Sequence, residues 1–350
     1  IALGAGAREM RVYATAAVRE AGDGARFAGR LKRVAGSPVT ILDGAAEARY
    51  GFEGALRGLD ADAGVLFDLG GGSIQITEFR GRSPRRSWSL PLGALRLSRR
   101  YLDHDPPTDR DLRALRRHID GFLDELPVKP LFKGAQLVGT GGTVRNLAKI
   151  DRFRRKVVAP RLHGHELLAE DIEAISDELL LGPRRRRAEV LGLSRDRSDS
   201  IVAGALVVRR LVVRLDAAAV LVSGQGLREG LAYAALGTPA ADLEDVRATS
   251  VTALLSRFRG VDAGYGERRA LLARQIFAGL VRGEGERGRA CLDALSLAAR
   301  VLDIGRAVDF FDRHEHAARI VLASELDGFS QAEVARVAAV LHAADEEGVD

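Results

Sequence analysis

Cysteine is almost absent from this 350-residue chain. Cys291 stands alone, so no internal disulfide can form. That excludes a disulfide-stapled secreted scaffold and fits a reducing compartment. Cys291 itself reads as a small buried residue and not as a nucleophile. No window approaches 18 consecutive apolar residues, so no segment reads as a membrane-spanning helix. No charged stretch followed by an apolar core opens the sequence, so the reading expects no signal peptide and a cytoplasmic protein without a membrane partner. Strong charge bias is missing too: 53 Lys and Arg against 48 Asp and Glu leave +5. That mild excess admits a nucleotide, a polyphosphate or a nucleic acid as partner without demanding one. A GC-rich genome would give the same arginine-heavy balance. No recognition motif accompanies the arginines, so DNA is not an expected partner. No internal repeat at a solenoid period is visible.

The composition is that of a core-forming protein, 46% apolar and 29% charged, and the length suggests two or three domains. From residue 10 to 236 strands and helices alternate. Apolar runs at 10–17 and 38–44 read as strands. Helices are expected over 45–59 and over 18–36, where Phe27, Leu31 and Val34 fall at helical spacing. Residues 63–81 read as strand, glycine turn, strand, and 85–102 as a strand turning into a helix. The break Asp105-Pro106-Pro107-Thr108 follows, with Thr108 capping a helix over 109–126. Residues 134–150 and 218–236 each read as strand, glycine turn, helix, with further helices at 166–182 and 198–214. The run Arg184 to Arg187 reads as a solvated loop or helix start. From about 240 strands vanish and 244–346 reads as helices only, which puts a boundary near Gly237-Thr238-Pro239. The opening, from Ile1, reads as a helix end leading into a strand, as if the chain began partway through a domain. The whole order predicts an α/β sheet with ligand loops at the carboxyl ends of its strands.

Three glycine turns at strand ends form the candidate site. LFDLGGGSIQITE (66–78) runs a strand and an acid, Asp68, into Gly70-Gly71-Gly72 and Ser73. GTGGTV (139–144) and SGQG (223–226) follow. Such turns present bare N–H groups and let an anion approach closely. None carries the lysine of a P-loop, and GTGGTV lacks the third glycine of the dinucleotide fingerprint. An acid just before a glycine hairpin suits a hydrated metal or an attacking water beside a phosphate.

Six stretches in order carry a resemblance: YATAAVREA (13–21), ILDGAAEARYGFEGAL (41–56), LFDLGGGSIQITEF (66–79), LVGTGGTVRNLA (137–148), DSIVAGALVV (199–208) and VSGQGLREGLAY (222–233). They resemble the exopolyphosphatase and guanosine pentaphosphate phosphohydrolase (Ppx/GppA) family. The resemblance implies an α/β, actin-like (ASKHA, ribonuclease H-like) ATPase fold with its first domain truncated, followed by an all-α HD-type domain. The implied division is 1–54, a remnant of the first actin-like domain, then 55–238, the second, then 239–350, helical. The implied reaction is Mg2+-dependent hydrolysis of a terminal phosphoanhydride, either of inorganic polyphosphate or of pppGpp in the stringent response. On this resemblance Glu47 and Asp68 are catalytic, and Asp68 is a metal ligand with Gln75 as a weak second. Arg19, Gly70, Gly71, Gly72 and Ser73 match phosphate-binding positions, and Gly139, Thr140, Gly141, Gly142, Thr143, Gly224 and Gly226 line the same cleft. Glu47, facing Asp68 and a polyanion, is expected to have the raised pKa that a general base needs. Family members of this long form also imply a homodimer.

Three departures temper the reading. The family begins with a glycine hairpin carrying another aspartate, ahead of the ATAAVRE stretch, and this sequence lacks it, as a fragment or a shortened protein would. Gln75 stands where the family has glutamate. Leu302-Asp303 stands where an HD domain has its His-Asp metal pair, so no metal site is expected there. His314, His316 and His342 then read as packing or solvent-facing, and His163 and His165 as a polar loop. The alternative function is a catalytically impaired fragment, or a sensor that binds polyphosphate or alarmone without hydrolysing it. A sugar- or acetate-kinase relative would share the fold but not the GAAEAR stretch.

Overall fold

The computed structural model describes residues 6–7, 9–157, 160–238, 242–258, 260–280 and 285–345. Most of the helix end read at the start of the chain, and Pro239 of the expected boundary, lie outside the described residues. The chain groups into two compact units. One comprises Ile1–Leu56, Ala61–Phe153 and Glu166–Pro239; the other comprises Arg57–Asp60, Arg154–His165 and Ala240–Asp350.

The first unit holds two sheets. In the smaller, β1 (Val12–Ala14) pairs parallel to β2 (Val39–Ile41), with α1 (Ala16–Arg19) and α2 (Gly24–Ala35) between them in sequence. α3 (Gly44–Leu56) follows. The larger sheet contains β3 (Ala63–Leu69), β4 (Ile74–Arg80), β5 (Ser83–Leu90), β6 (Gln136–Thr140), β7 (His165–Leu168) and β8 (Ala219–Val222) in the order β5-β4-β3-β6-β8-β7. β3, β4 and β5 form an antiparallel meander, and β6 and β8 continue from β3 in parallel. β3 is central because Val65, Leu66, Phe67 and Leu69 are buried, on both of its faces. β5 sits at the edge, and its sequence SPRRSWSL suits that place. Pro84 offers no N–H, and Arg85 and Arg86 discourage a further strand.

The helices of this unit are α4 (Ala94–Tyr101), α5 (Asp109–Asp124), α6 (Gly142–Arg154), α7 (Ala169–Leu181), α8 (Arg184–Arg187), α9 (Ile201–Leu215) and α10 (Leu227–Ala235). Thr108 caps α5 as read, and Asp111 completes a reciprocal capping box.

Several readings need correction. The first strand is shorter than 10–17, because Thr15 already accepts the first backbone bonds of α1. Phe27 and Val34 do not reach a core: they are 46% and 86% exposed. Among the described residues the β1–β2 layer has two strands. The helix read from 166 starts at Ala169, because residues 165–168 pair as edge strand β7. Of the arginine run, Arg184, Arg185 and Arg186 are solvated, but Arg187 is buried and donates to Asp105 at 2.9 Å.

The second unit is helical: α11 (Leu243–Ser256), α12 (Ala263–Leu280), α13 (Glu286–Val301), α14 (Arg313–Ala323) and α15 (Gln331–His342). Ala294, Leu297, Ala298 and Val301 recur at i, i+3, i+4 and i+7 and place one stripe of α13 in the core. Cys291 lies before that stripe and is exposed, against the buried reading. His163 and His165 are not a polar loop. They are 6% and 3% exposed, in a segment clamped by the buried Arg161, which donates to the carbonyls of Leu326 (2.8 Å) and Phe329 (3.0 Å). Burial holds the His163 pKa below its ordinary value. His314 and His316 are half-buried and His342 is exposed, as read. Asp303 is bridged by Arg269 at 2.7 Å.

Candidate active site

β3, β6 and β8 are adjacent and parallel, so their carboxyl ends lie side by side. Each ends in one of the three glycine turns. The topology therefore brings together Gly70 to Ser73, Gly139 to Thr143, and Gly224 to Gly226, as the spacing predicts. Within the second turn, Gly139 and Thr140 are the last residues of β6, and Gly142 and Thr143 open α6. The turns are laced by hydrogen bonds. Ser223 N–H donates to Gly139 O at 2.8 Å, and the Thr140 hydroxyl donates to Gln225 O at 2.7 Å.

The first turn is held from outside. Gly70 N–H donates to Ser73 O, closing the hairpin at 3.0 Å. The carbonyls of Gly70 and Gly71 accept from the N–H groups of Ala94 and Arg96, both at 3.0 Å, at the start of α4. Gly93 allows this approach: a Cβ there would lie 2.2 Å from the Gly72 carbonyl carbon. With the carbonyls so occupied, the N–H groups of Gly71 and Gly72 have no intramolecular acceptor among the described residues. Gly93 was not singled out from the sequence; a glycine after Pro91-Leu92, at the head of a helix, was the available signal.

Asp68 stands at the centre. In register it lies opposite Gln75 on one side and Thr140 on the other, which puts the three on one face of the sheet. Two glycines make room for its carboxyl. A Cβ at Gly51 would lie 3.6 Å from Oδ2, and one at Gly141 would lie 2.9 Å from Oδ1. Gly141 also has φ +101°, a conformation that other residues rarely adopt. Burial, and then the Glu47 carboxylate, push Asp68 up to about 6, with Arg145 pulling the other way. The raised carboxyl seen here is Asp68, and burial at the sheet face is its first cause.

Glu47 is in the first turn of α3, one turn before Gly51 and on the same face. Its Oε2 accepts from Arg19 at 3.1 Å, while the same Arg19 nitrogen donates to Leu42 O at 2.6 Å. Arg19 is therefore seen orienting Glu47. Two glycine contacts fix α3 against α10. A Cβ at Gly54 would lie 2.0 Å from Gly226 O, and one at Gly230 would lie 1.9 Å from Tyr50 O. This close crossing ties the helix of Glu47 to the third turn.

Gln75 is buried, and its Nε2 donates to the Ser73 hydroxyl at 2.7 Å. That leaves its amide oxygen as the only group it could offer a cation. Among the described residues there is no cluster of three or more His, Cys, Asp or Glu suited to a metal. Two arginines were also missed as site residues. A Cβ at Gly142 would lie 2.9 Å from the Arg197 guanidinium carbon, so that cation lies against the second turn. Arg145, one turn into α6, reaches Gly224 O at 3.3 Å. Their sequence signal was weak, because 53 basic residues are spread along the chain.

Comparison with known proteins gives the same picture. Residues 1–238 match the model of the Ppx/GppA phosphatase family, and residues 246–347 match that of Ppx/GppA phosphatase, domain III. The chain is 33% identical to an exopolyphosphatase 1 of Mycobacterium bovis over 255 residues, covering 72% of this chain and 74% of that protein. It is 33% identical to exopolyphosphatase 1 of Mycobacterium leprae over 235 residues, covering 66% and 69%. The crystal structure of the Aquifex aeolicus Ppx/GppA family member aligns with TM-score 0.59 and 24% identity, over 69% of this chain and 78% of that one. A crystal structure of an exopolyphosphatase from Cytophaga hutchinsonii aligns with TM-score 0.61 and 22% identity, over 69% and 79%. These structures carry the fold, which is the actin-like one followed by a helical domain.

Proposed function

The chain belongs to the Ppx/GppA phosphatase family, and from that premise we propose that it hydrolyses the terminal phosphoanhydride of inorganic polyphosphate or of pppGpp. One observation carries the reading. A half-buried acid, Asp68, sits among three laced glycine turns with a second acid, Glu47, opposing it. Two carboxylates, one of them held by Arg19, beside the open N–H groups of Gly71 and Gly72 suit a water and a phosphoryl group.

The residues divide the work as follows. The N–H groups of Gly71 and Gly72 hold phosphate oxygens, helped by the amino ends of α6 and α10. Arg197 adds positive charge at the second turn. Glu47, oriented by Arg19, takes a proton from the attacking water at a carboxylate oxygen. Asp68 fixes that water's position. Catalysis of this kind rests on placement and electrostatics rather than on covalent chemistry.

The donor set fits Mg2+, which takes one or two carboxylates and draws its other ligands from phosphate and water. Asp68 is the first ligand of this proposal, with the Gln75 amide oxygen as a weak second. The lack of a three-acid cluster among the described residues suits an ion that arrives with its substrate. Bound Mg2+ would neutralise charge building on the transferred phosphoryl group.

The deciding measurement is phosphate release by the purified chain with Mg2+, from long-chain polyphosphate and from pppGpp side by side. Release from either one supports hydrolysis and names the substrate. Binding of both without release selects the second reading, a sensor. That reading is favoured by Gln75, whose neutral amide stands opposite Asp68 where a charged ligand would hold metal more tightly.

A further inference from the structure

We infer that Arg145 is a positioning residue, the clasp that sets the third glycine turn against the second and so fixes the width of the phosphate cleft. The inference rests on the phosphate reading above for its function, but on geometry alone for the clasp.

Arg145 stands in the first turn of α6, its N–H donating to Gly141 O of the second glycine turn at 3.1 Å. Its side chain ends in the third, with Nη1 donating to Gly224 O at 3.3 Å. One residue therefore spans two of the three turns. Ser223 to Gly139 and Thr140 to Gln225 also link these turns. Arg145 is close enough to Asp68 to oppose the effect of Glu47. A guanidinium fits this place for a physical reason. Its fork presents five donors in a rigid plane, so one can hold a carbonyl while others face the cleft. An ammonium keeps the charge but has no fixed fork. Ser223, Gln225 and Gly226 are held by their own partners, Gly226 N–H donating to Glu229 at 2.8 Å, while Arg145 engages the turn at Gly224.

The test uses the full chain with Arg145→Met and Arg145→Lys, and two readouts. The first is amide hydrogen exchange at residues 222–227 without ligand. The second is binding of tripolyphosphate by calorimetry, with Mg2+ present. The expected result is that Arg145→Met speeds exchange at the third turn by about tenfold or more and weakens tripolyphosphate binding by a similar factor. Arg145→Lys is expected to recover part of the binding, through its charge, while exchange stays fast. Wild-type exchange in Arg145→Met overturns the clasp, and so does full recovery of slow exchange in Arg145→Lys. Should Arg145→Met fold poorly, the lysine variant alone decides by the same comparison. If the wild-type chain binds no tripolyphosphate, the phosphate reading falls, while the exchange experiment still decides the clasp.

Discussion

Asp68 and Asp303 make an instructive pair. On the resemblance read from the sequence, Asp68 is an expected metal ligand in the sheet-bearing unit, and Asp303 stands at the place of an HD domain's acid in the helical unit. Asp303 is neutralised within the protein: Arg269 holds it at 2.7 Å, and the same arginine donates to Ala299 O at 2.8 Å. Asp68 is set in conflict. It is half-buried in the sheet face, lies near Glu47, and is pushed up to about 6 by desolvation and then by that carboxylate. A charge that the fold satisfies is structural; a charge that the fold leaves strained is available to a ligand. By this criterion the chemistry is expected in the sheet unit, which Glu47→Gln and Asp303→Asn test.

The largest effect should come from Glu47→Gln, which removes the proton acceptor but keeps the shape. Phosphate release is expected to fall by about 10^2- to 10^4-fold, with tripolyphosphate binding kept within roughly threefold. An unchanged rate would put the chemistry elsewhere and break the comparison at its stronger end. Next comes Gly141→Ala. The methyl group would lie 2.4 Å from Leu69 O and 2.9 Å from Asp68 Oδ1, on a backbone with φ +101°. A loss of stability of about 1–3 kcal/mol and a drop in release of tenfold or more are expected. Gly121→Ala is the control, because nothing lies within 4 Å of a Cβ there and the residue is helical, in the last turn of α5. That change should stabilise the chain by a few tenths to about 1 kcal/mol in urea unfolding.

Much of this contrast was legible in the sequence. Asp68 and its hairpin read directly from LFDLGGGS, because strand, acid and glycine are contiguous. The convergence of three turns followed from the alternation of strands and helices. What escaped reading depended on tertiary contact. β7 runs into α7 without a turn residue, so only pairing at the sheet edge separates them. Phe27 and Val34 have helical spacing, but spacing alone does not show whether a residue is buried. The pairing of Glu47 with Arg19 could not be read either, because the two lie 28 residues apart in sequence. Arg197 and Arg145 were hidden among many arginines, for only the folded turns distinguish them.

Asp68→Asn sharpens the comparison through stability. Because the folded pKa is raised from 3.8 to about 6, the ionised carboxyl costs the folded state above pH 6. Native Asp68 binds its proton more readily than the unfolded chain does, so this cost fades as pH falls from about 6 to 4. The neutral asparagine should therefore raise the melting temperature at pH 7.5 in metal-free buffer, with a gain of at most about 3 kcal/mol. The gain should shrink toward zero near pH 4, while phosphate release is lost at every pH. A variant less stable than wild type at pH 7.5 would show that Asp68 is satisfied after all.

Asp303→Asn probes the quiet side of the comparison and should have the smallest effect. The pair with Arg269 is partly buried, with 14% of the Asp303 side chain exposed and 33% of the arginine's. Asparagine can still accept one of the two guanidinium bonds, and Arg269 keeps its bond to Ala299 O. The expected loss is therefore about 1 kcal/mol, measured as a lower urea midpoint. Phosphate release and its Mg2+ dependence should not change, because the charge removed was already neutralised inside the helical unit. A fall in release at unchanged stability would mean that Asp303 is engaged in the chemistry despite its arginine, and strained charge would no longer distinguish the two units.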